Sequence, residues 1–194
     1  MDLNDISPLA KNLILPNDRL RHILIVGGTD KDRLAFAQAM GIQSVMLNHD
    51  VAFVSSQETK EVVLSYLFKL GKSRYDLPEE KRTPLFVYMN YLSDQNDTSP
   101  DLASLLSEGR SCKIGLTISI AQLDQLTSNN QMAVLGNVGS IICLKLVASD
   151  AVKFVEYFDN KFTSTEFSNI PAGEAIVKLI KNGVQEAPFR LKLS

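Results

Sequence analysis

The chain has 194 residues, 45% hydrophobic and 22% charged, with a formal net charge of −2. That suits one globular domain with an ordinary core and leaves no overall electrostatic footprint for nucleic acid, only room for a local patch. Two histidines, His22 and His49, and two isolated cysteines, Cys112 and Cys143, exclude a His/Cys metal cluster and read as structural thiols kept reduced in the cytoplasm.

Residues 1–20 read as an irregular arm, since Pro8 and Pro16 prevent a long helix. The sequence has no signal-peptide hydrophobic region at its start and no apolar run near the ~20 residues that span a bilayer, so a cytoplasmic chain is expected. Residues 21–194 then form a single domain. His22–Val26, HILIV, is an apolar strand broken by Gly27-Gly28. Lys31–Met40 follows as a helix, closed by Gly41 at the position after the cap. Residues 43–47 and 51–54 are short strand candidates. Ser55-Ser56-Gln57-Glu58 has the pattern of a capping box, opening an amphipathic helix over 57–71 with Val63, Leu67 and Leu70 inward. Gly71–Arg82 is a charged linker.

Pro84 leads into Leu85–Met89, a continuous apolar run that stops at Asn90 and reads as a buried strand. Ser99-Pro100-Asp101 starts a helix that runs to about Ser111, with Ser at the N-cap and Pro at the first helical position. Lys113–Ile120 alternates into a strand, and Gln122–Leu135 holds one or two short helices. Gly139–Val147 is another buried strand. Asp150–Phe158 and Ser164–Ser168 are helices, and Ala175–Lys181 with Phe189–Leu193 forms a terminal antiparallel pair across Asn182-Gly183. Strands alternating with helices predict an α/β fold: a three-layer α/β/α sandwich on a mostly parallel sheet.

Two places carry the functional question. Strand, glycine turn and helix at 22–34 have the setting of a phosphate loop, G-x-x-x-x-G-K-S/T, whose backbone N–H groups cradle phosphates while Lys and Ser/Thr serve phosphate and magnesium. In register, Asp30 and Asp32 stand where small residues belong, Arg33 replaces the Lys and Leu34 the Ser/Thr. The plain reading is a tight strand–helix turn. The other reading sets Gly27, Gly28, Thr29, Lys31 and Arg33 on a nucleotide. At the second place, a hydrolytic strand would end in Asp, usually followed by Glu, for magnesium and water; here Asn90 and Tyr91 stand there. Asp94, four residues on, is either a turn cap or a displaced carboxylate. Leu34 and Asn90 remove magnesium ligation from opposite sides of one site, so no metal-binding residue is assigned.

Several segments resemble the HerA/FtsK superfamily of DNA-pumping ATPases, nearest to its conjugation and type IV secretion branch. Residues 17–27, NDRLRHILIVG, are similar to its phosphate-loop approach. Residues 102–116, LASLLSEGRSCKIGL, 135–142, LGNVGSII, and 149–155 resemble its later segments. Residues 170–177, IPAGEAIV, and 188–190, PFR, resemble its terminal hairpin. The likeness implies a P-loop NTPase fold of RecA-like, inserted-strand type, with the 113–120 strand lying between the 22–26 and 85–89 strands and the terminal pair extending one edge. It implies that Arg110 could face a neighbouring subunit's nucleotide, a surface Arg near a helix C-terminus being the plain alternative. It also puts the family's polar sensor at Ala121, with Gln122 one residue late. The family's long segment between the two nucleotide motifs and its N-terminal domain have no counterpart. Together, likeness and departures imply a pseudo-ATPase: ATP bound without magnesium if at all, an oligomer of its own or with an active relative, and DNA as a partner by resemblance only. The competing readings are a working DNA-translocating motor with Lys31 or Arg33 on phosphates and Asp94 or Asp50 on magnesium, an unrelated small-molecule domain, and a decayed remnant.

Overall fold

The structure, a computed structural model, describes residues 14–54, 57–90 and 100–192. Seven strands form one sheet in the order β2-β3-β4-β1-β5-β6-β9. They are β1 (Ile23–Val26), β2 (Asp50–Val54), β3 (Leu85–Asn90), β4 (Ile114–Ile120), β5 (Ser140–Cys143), β6 (Glu174–Lys178) and β9 (Phe189–Lys192). A separate small hairpin pairs β7 (Ile180–Lys181) with β8 (Val184–Gln185) across Asn182-Gly183. The first five strands run parallel, and β6 and β9 add antiparallel at one edge. The terminal pair therefore extends one edge as expected, and β4 is inserted between β1 and β3.

Strand alternation divides the core. Leu24, Val26, Val87, Met89, Ile118 and Ile141 point into one hydrophobic cluster, while Ile23, Ile25, Phe86, Tyr88 and Ile142 point into the other. On the first face pack α3 (Gln57–Arg74), α4 (Pro100–Glu108), α5 (Ser128–Asn137), α6 (Ala148–Tyr157) and α7 (Ser164–Ser168), through Leu64, Leu105, Val134, Phe154 and Phe167. On the second pack α2 (Asp30–Met46), through Phe36 and Met40, and the segment carrying α1 (Pro16–Arg19), through Ile14 and Leu20. Strand β4 is asymmetric. Ile114, Leu116, Ile118 and Ile120 fill the first cluster, and Gly115, Thr117 and Ser119 occupy the other side. A Cβ at Gly115 would lie 2.8 Å from the Arg19 carbonyl oxygen, so small residues here let the amino-terminal segment close on the sheet.

From Ile14 onward the segment expected as an irregular arm is thus packed. Buried Arg19 fixes it, its Nε donating to Ile14 O (2.9 Å) and its Nη1 to Met40 O and Ser44 Oγ (both 2.9 Å).

Four boundaries differ from the sequence reading. Helix α2 does not close at Gly41 but continues to Met46, absorbing the strand expected at 43–47. It ends on Leu47, followed by Asn48 in the left-handed region at φ 57°. Helix α3 continues through Gly71 to Arg74, whose Nη1 donates to Cys112 O at 2.9 Å, so the charged linker starts later. Among its described residues Leu64, Leu67, Gly71 and Arg74 are buried, with Val63 and Leu70 half-buried. Helix α4 stops at Glu108 rather than Ser111: the Ser111 and Cys112 N–H groups close tight turns onto Glu108 O and Gly109 O (both 3.0 Å), and the Ile114 N–H returns to Gly109 O at 2.8 Å as the chain turns into β4. Strand β5 ends at Cys143, and residues 144–147 leave the sheet to brace the turn after β1. The expected capping serines 55 and 56, and Ser99, lie outside the described residues.

Candidate functional site: the turn after β1 and the carboxyl edge of the sheet

Parallel strands bring their carboxyl ends to one edge, where ligands of open α/β sheets bind. At that edge Asn90 pairs in register with Ser119, Ser119 with Ile25, and Val26 with Cys143. The chain leaves Val26 through Gly27, Gly28 and Thr29 and enters α2 at Asp30. Both glycines are left-handed, at φ 87° and 61°, and a Cβ on Gly27 would lie 2.6 Å from Lys145 O. Only glycine suits Gly27, for conformation and for space.

Three residues are too few for the phosphate-loop motif, and the helix starts where that motif would still be loop. Asp30 and Asp32 therefore lie in the first helical turn. Thr29 is the N-cap and forms a capping box with Asp32. Asp32 Oδ2 accepts from the Thr29 N–H (3.1 Å) and hydroxyl (2.7 Å), and the Asp32 N–H donates to Thr29 Oγ1 at 3.3 Å. The Gly27 N–H donates to Ile120 O at 3.0 Å and the Gly28 N–H to Lys145 O at 2.9 Å. All three backbone donors of the turn are thus engaged within the protein.

Arg33 is buried and turns back under the turn. Its Nη1 donates to Gly27 O (2.8 Å) and Gly28 O (3.0 Å), and its Nη2 pairs with Asp30. Burial lowers the Arg33 pKa from its ordinary value, opposed by the charges of Asp30 and Asp32. Lys31 is exposed on the first turn of α2. Leu34 is half exposed and shares a small cavity of about 110 Å³ with Asn90, Ser119, Thr117 and Phe53. Leu34 and Asn90 thus line one hollow, and its walls are largely apolar.

The residues after β4 are also tied internally. The N–H groups of Ala121 and Gln122 both donate to Gln125 Oε1, at 2.6 and 3.0 Å, and the Leu123 N–H donates to Asp150 Oδ2 at 2.8 Å. Burial raises the Asp150 pKa, and burial followed by the Asp150 charge raises the Cys143 thiol well above its ordinary value. Tyr91 and Asp94 lie outside the described residues. Asp50 and Arg110 lie at the opposite, amino edge: Asp50 opens β2 and pairs with Leu85, while Arg110 precedes β4. Arg110 lines an open groove of about 710 Å³ with Arg21, His49 and Asp18, away from the turn of its own chain. Among the described residues no group of His, Cys, Asp and Glu is placed to hold a metal ion, and no helix is long and apolar enough to cross a membrane.

Beside the turn lies a cleft of about 450 Å³, between Gly28, Thr29 and Asp32 on one side and residues 144–147 and 170–174 on the other. The residue-by-residue motif reading missed this second wall. Its signal was the Pro171-Ala172-Gly173 run after the short α7, where Gly173 adopts φ 78°. Asn137 and Gly139 contact no such cleft. Asn137 Nδ2 donates to Ala133 O at 2.8 Å, and the Gly139 N–H donates to Arg21 O at 2.6 Å where the chain turns into β5.

No family model and no curated protein matches this sequence. Solved structures do. The cytoplasmic domain of the Thermomonospora curvata type VII secretion ATPase EccC superposes with a TM-score of 0.66 at 13% identity, over 90% of this chain and 25% of that one. This chain thus spans a quarter of that protein's length. The bacterial conjugative coupling protein TrwBdeltaN70 gives 0.66 at 9% identity, over 92% and 86%. The genome packaging NTPase B204 from Sulfolobus turreted icosahedral virus 2, solved with AMPPCP, gives 0.59 at 10% identity, over 89% and 97%. The fold expected from the sequence is borne out: this chain has the mostly parallel α/β fold of these solved ATPase structures.

Proposed function

We propose that this chain is a catalytically degenerate ATPase-like domain, a cytoplasmic binding or assembly component related to DNA-translocation and type IV secretion machinery. The observation that carries this reading is the turn after β1. Its three backbone donors serve Ile120 O, Lys145 O and the Asp32 carboxylate, whereas a phosphate loop keeps such donors free for the ligand. TrwB is solved with ADP and Mg2+. Here Leu34 and Asn90 offer no charged oxygen to such an ion, and Arg33 commits its guanidinium to the turn's own carbonyls. Phosphoryl transfer rests on positioning and charge stabilisation, and among the described residues the turn, Leu34 and Asn90 supply neither.

The cleft beside the turn is the place for a nucleotide held without magnesium, between Gly28, Thr29 and residues 144–147 and 170–174. Assembly with copies of itself or with an active relative gives the fold its use, and Arg110 on the amino edge is free to meet a neighbouring subunit. DNA enters as a partner through the likeness to coupling and packaging proteins.

A nucleotide titration of the full chain with and without magnesium, with phosphate release followed in parallel, tests the reading. The expected result is no magnesium-dependent ATP hydrolysis above a buffer blank and nucleotide binding, if measurable, that magnesium does not strengthen. Magnesium-dependent hydrolysis that Arg33→Ala abolishes while circular dichroism stays unchanged would overturn it.

A further inference from the structure

The carboxyl-terminal half of α2 and the neighbouring strand β2 form the edge of the sheet and expose an apolar strip. Ile42, Val45 and Met46 on the helix are 44%, 60% and 76% exposed, Leu47 at its cap 48%, and Phe53 on the strand 52%. Leu34, earlier on the helix, is 46% exposed and joins the strip through the hollow it shares with Phe53. Between helix and strand lies a second hollow of about 370 Å³, lined by Gln38, Gly41, Ile42, Val45, Met46 and Phe53. Its lining carries no charged side chain. Phe53 is held in place between them: its ring stacks on Tyr88 with centroids 4.9 Å apart and planes 18° apart, and it lies so close to the helix that a Cβ on Gly41 would come within 2.5 Å of Cζ. A half-exposed aromatic fixed before binding is the kind of anchor that interfaces use.

We propose that this face docks a second copy of the same chain. Four observations select that occupant. First, the strip exposes roughly 500 Å² of apolar surface, in the upper range of the largest patch on a monomer, and two such faces together come to about the 1,000 Å² minimum of a specific interface. Second, the lining is uncharged, so two identical faces meet without like-charge cost. Third, the protruding Met46 stands at the rim of the hollow, giving one patch both knob and socket, as a two-fold interface requires. Fourth, among the described residues β2 pairs with β3 on one side only and is the outer strand of its sheet. Its sequence, Asp50–Val54, contains no Lys or Pro to guard the edge. A two-fold axis normal to the sheet near Ala52 sets the two β2 strands antiparallel, places Asp50 opposite Val54 rather than opposite itself, and brings the two α2 helices together on one face of a continuous sheet. Of this strip only Leu34 is shared with the nucleotide reading; Val45 and Met46 lie outside the turn after β1 and the cleft beside it, so the two readings fail separately.

Light scattering of the full chain, together with Val45→Lys, Met46→Glu and the control Val152→Lys, tests it. Val152 is 65% exposed on α6, remote from this edge. The wild type and the control are expected at twice the 21.5 kDa chain mass at about 100 µM, a concentration that populates even a weak specific dimer. Val45→Lys and Met46→Glu are expected at the single-chain mass with unchanged circular dichroism and melting temperature. A monomeric wild type, a mass other than two copies, or a dimer that survives both substitutions overturns the proposal.

Discussion

His22 enters β1 in the left-handed region, at φ 60°, and is 1% exposed. Its Nδ1 accepts the Leu116 N–H at 3.0 Å, which joins β1 to β4 through a side chain, and its Nε2 is buried without a hydrogen-bond partner. Burial lowers its pKa from 6.5 to about 4, partly offset by the nearby Leu106 backbone. Between these values the unfolded chain binds a proton that the folded chain refuses. Stability therefore falls as pH drops through this window, and the loss is complete below about pH 4. From pH 7 to pH 5 this group alone removes about 2 kcal/mol. Urea unfolding at the two pH values, for the wild type and His22→Asn, measures it; Asn tolerates the left-handed backbone. The variant is expected to lose less stability on acidification, and equal losses in both proteins would refute the assignment. Sequence alone showed His22 only as the first residue of an apolar run. Its role depends on Leu116, 94 positions away, and no local pattern carries that information. Arg33 is the same case: its replacement of a Lys was legible, but its turn back onto the Gly27 and Gly28 carbonyls was not.

Helix α2 shows how one local signal reads two ways. Glycine just after a helical run predicts a helix stop, yet Gly41 sits mid-helix because the Phe53 ring occupies the space of its side chain. Helix continuation costs about 1 kcal/mol relative to Ala at such a position, and the Phe53–Tyr88 stack compensates. Gly41→Ala is accordingly expected to destabilise the wild type by about 1 kcal/mol, because overpacking against Phe53 and loss of the stack, about 2 kcal/mol together, exceed the propensity gain of about 1 kcal/mol. In a Phe53→Ala background the same change is expected to stabilise by about the helix-propensity difference. Thermal or urea unfolding of the four proteins closes the cycle, and the same sign in both backgrounds would show that Phe53 is not the reason for the glycine. The opposite outcome of sequence reading is seen in β3 and β4, whose apolar runs and small-residue alternation reach the observed strands within one residue at each end. There the core imposes the pattern directly.

At the scale of the whole molecule the sheet is graded. Strands β1 and β4 lie in its interior and are buried throughout, whereas β2 forms an edge with only Val54 buried, and the β7–β8 hairpin stands outside it. Opening free energies follow buried apolar contact and paired backbone. Hydrogen exchange is therefore expected to protect the amides of β4 and β1 most, with those of β8 and the outer edge of β2 exchanging orders of magnitude faster. Uniform protection across the sheet would contradict that grading. The place of β4 between β1 and β3 was legible, but through resemblance rather than periodicity, since strand order has no local signature. The carboxyl edge was legible as a location, from the ends of β1 and β3. The second wall of the cleft was less so, because residues 170–174 reach the turn only once β6 has folded back antiparallel.

The capping box at Thr29 has one more consequence. The Asp32 carboxylate is tethered three residues from the donors it occupies, so it meets them at an effective concentration of about millimolar or higher. Any phosphate arriving at the turn competes with an anion that never diffuses away. The amino end of α2 therefore carries its own resident inhibitor, covalently supplied, and a free nucleotide binds there only to the extent that it outcompetes that local dose.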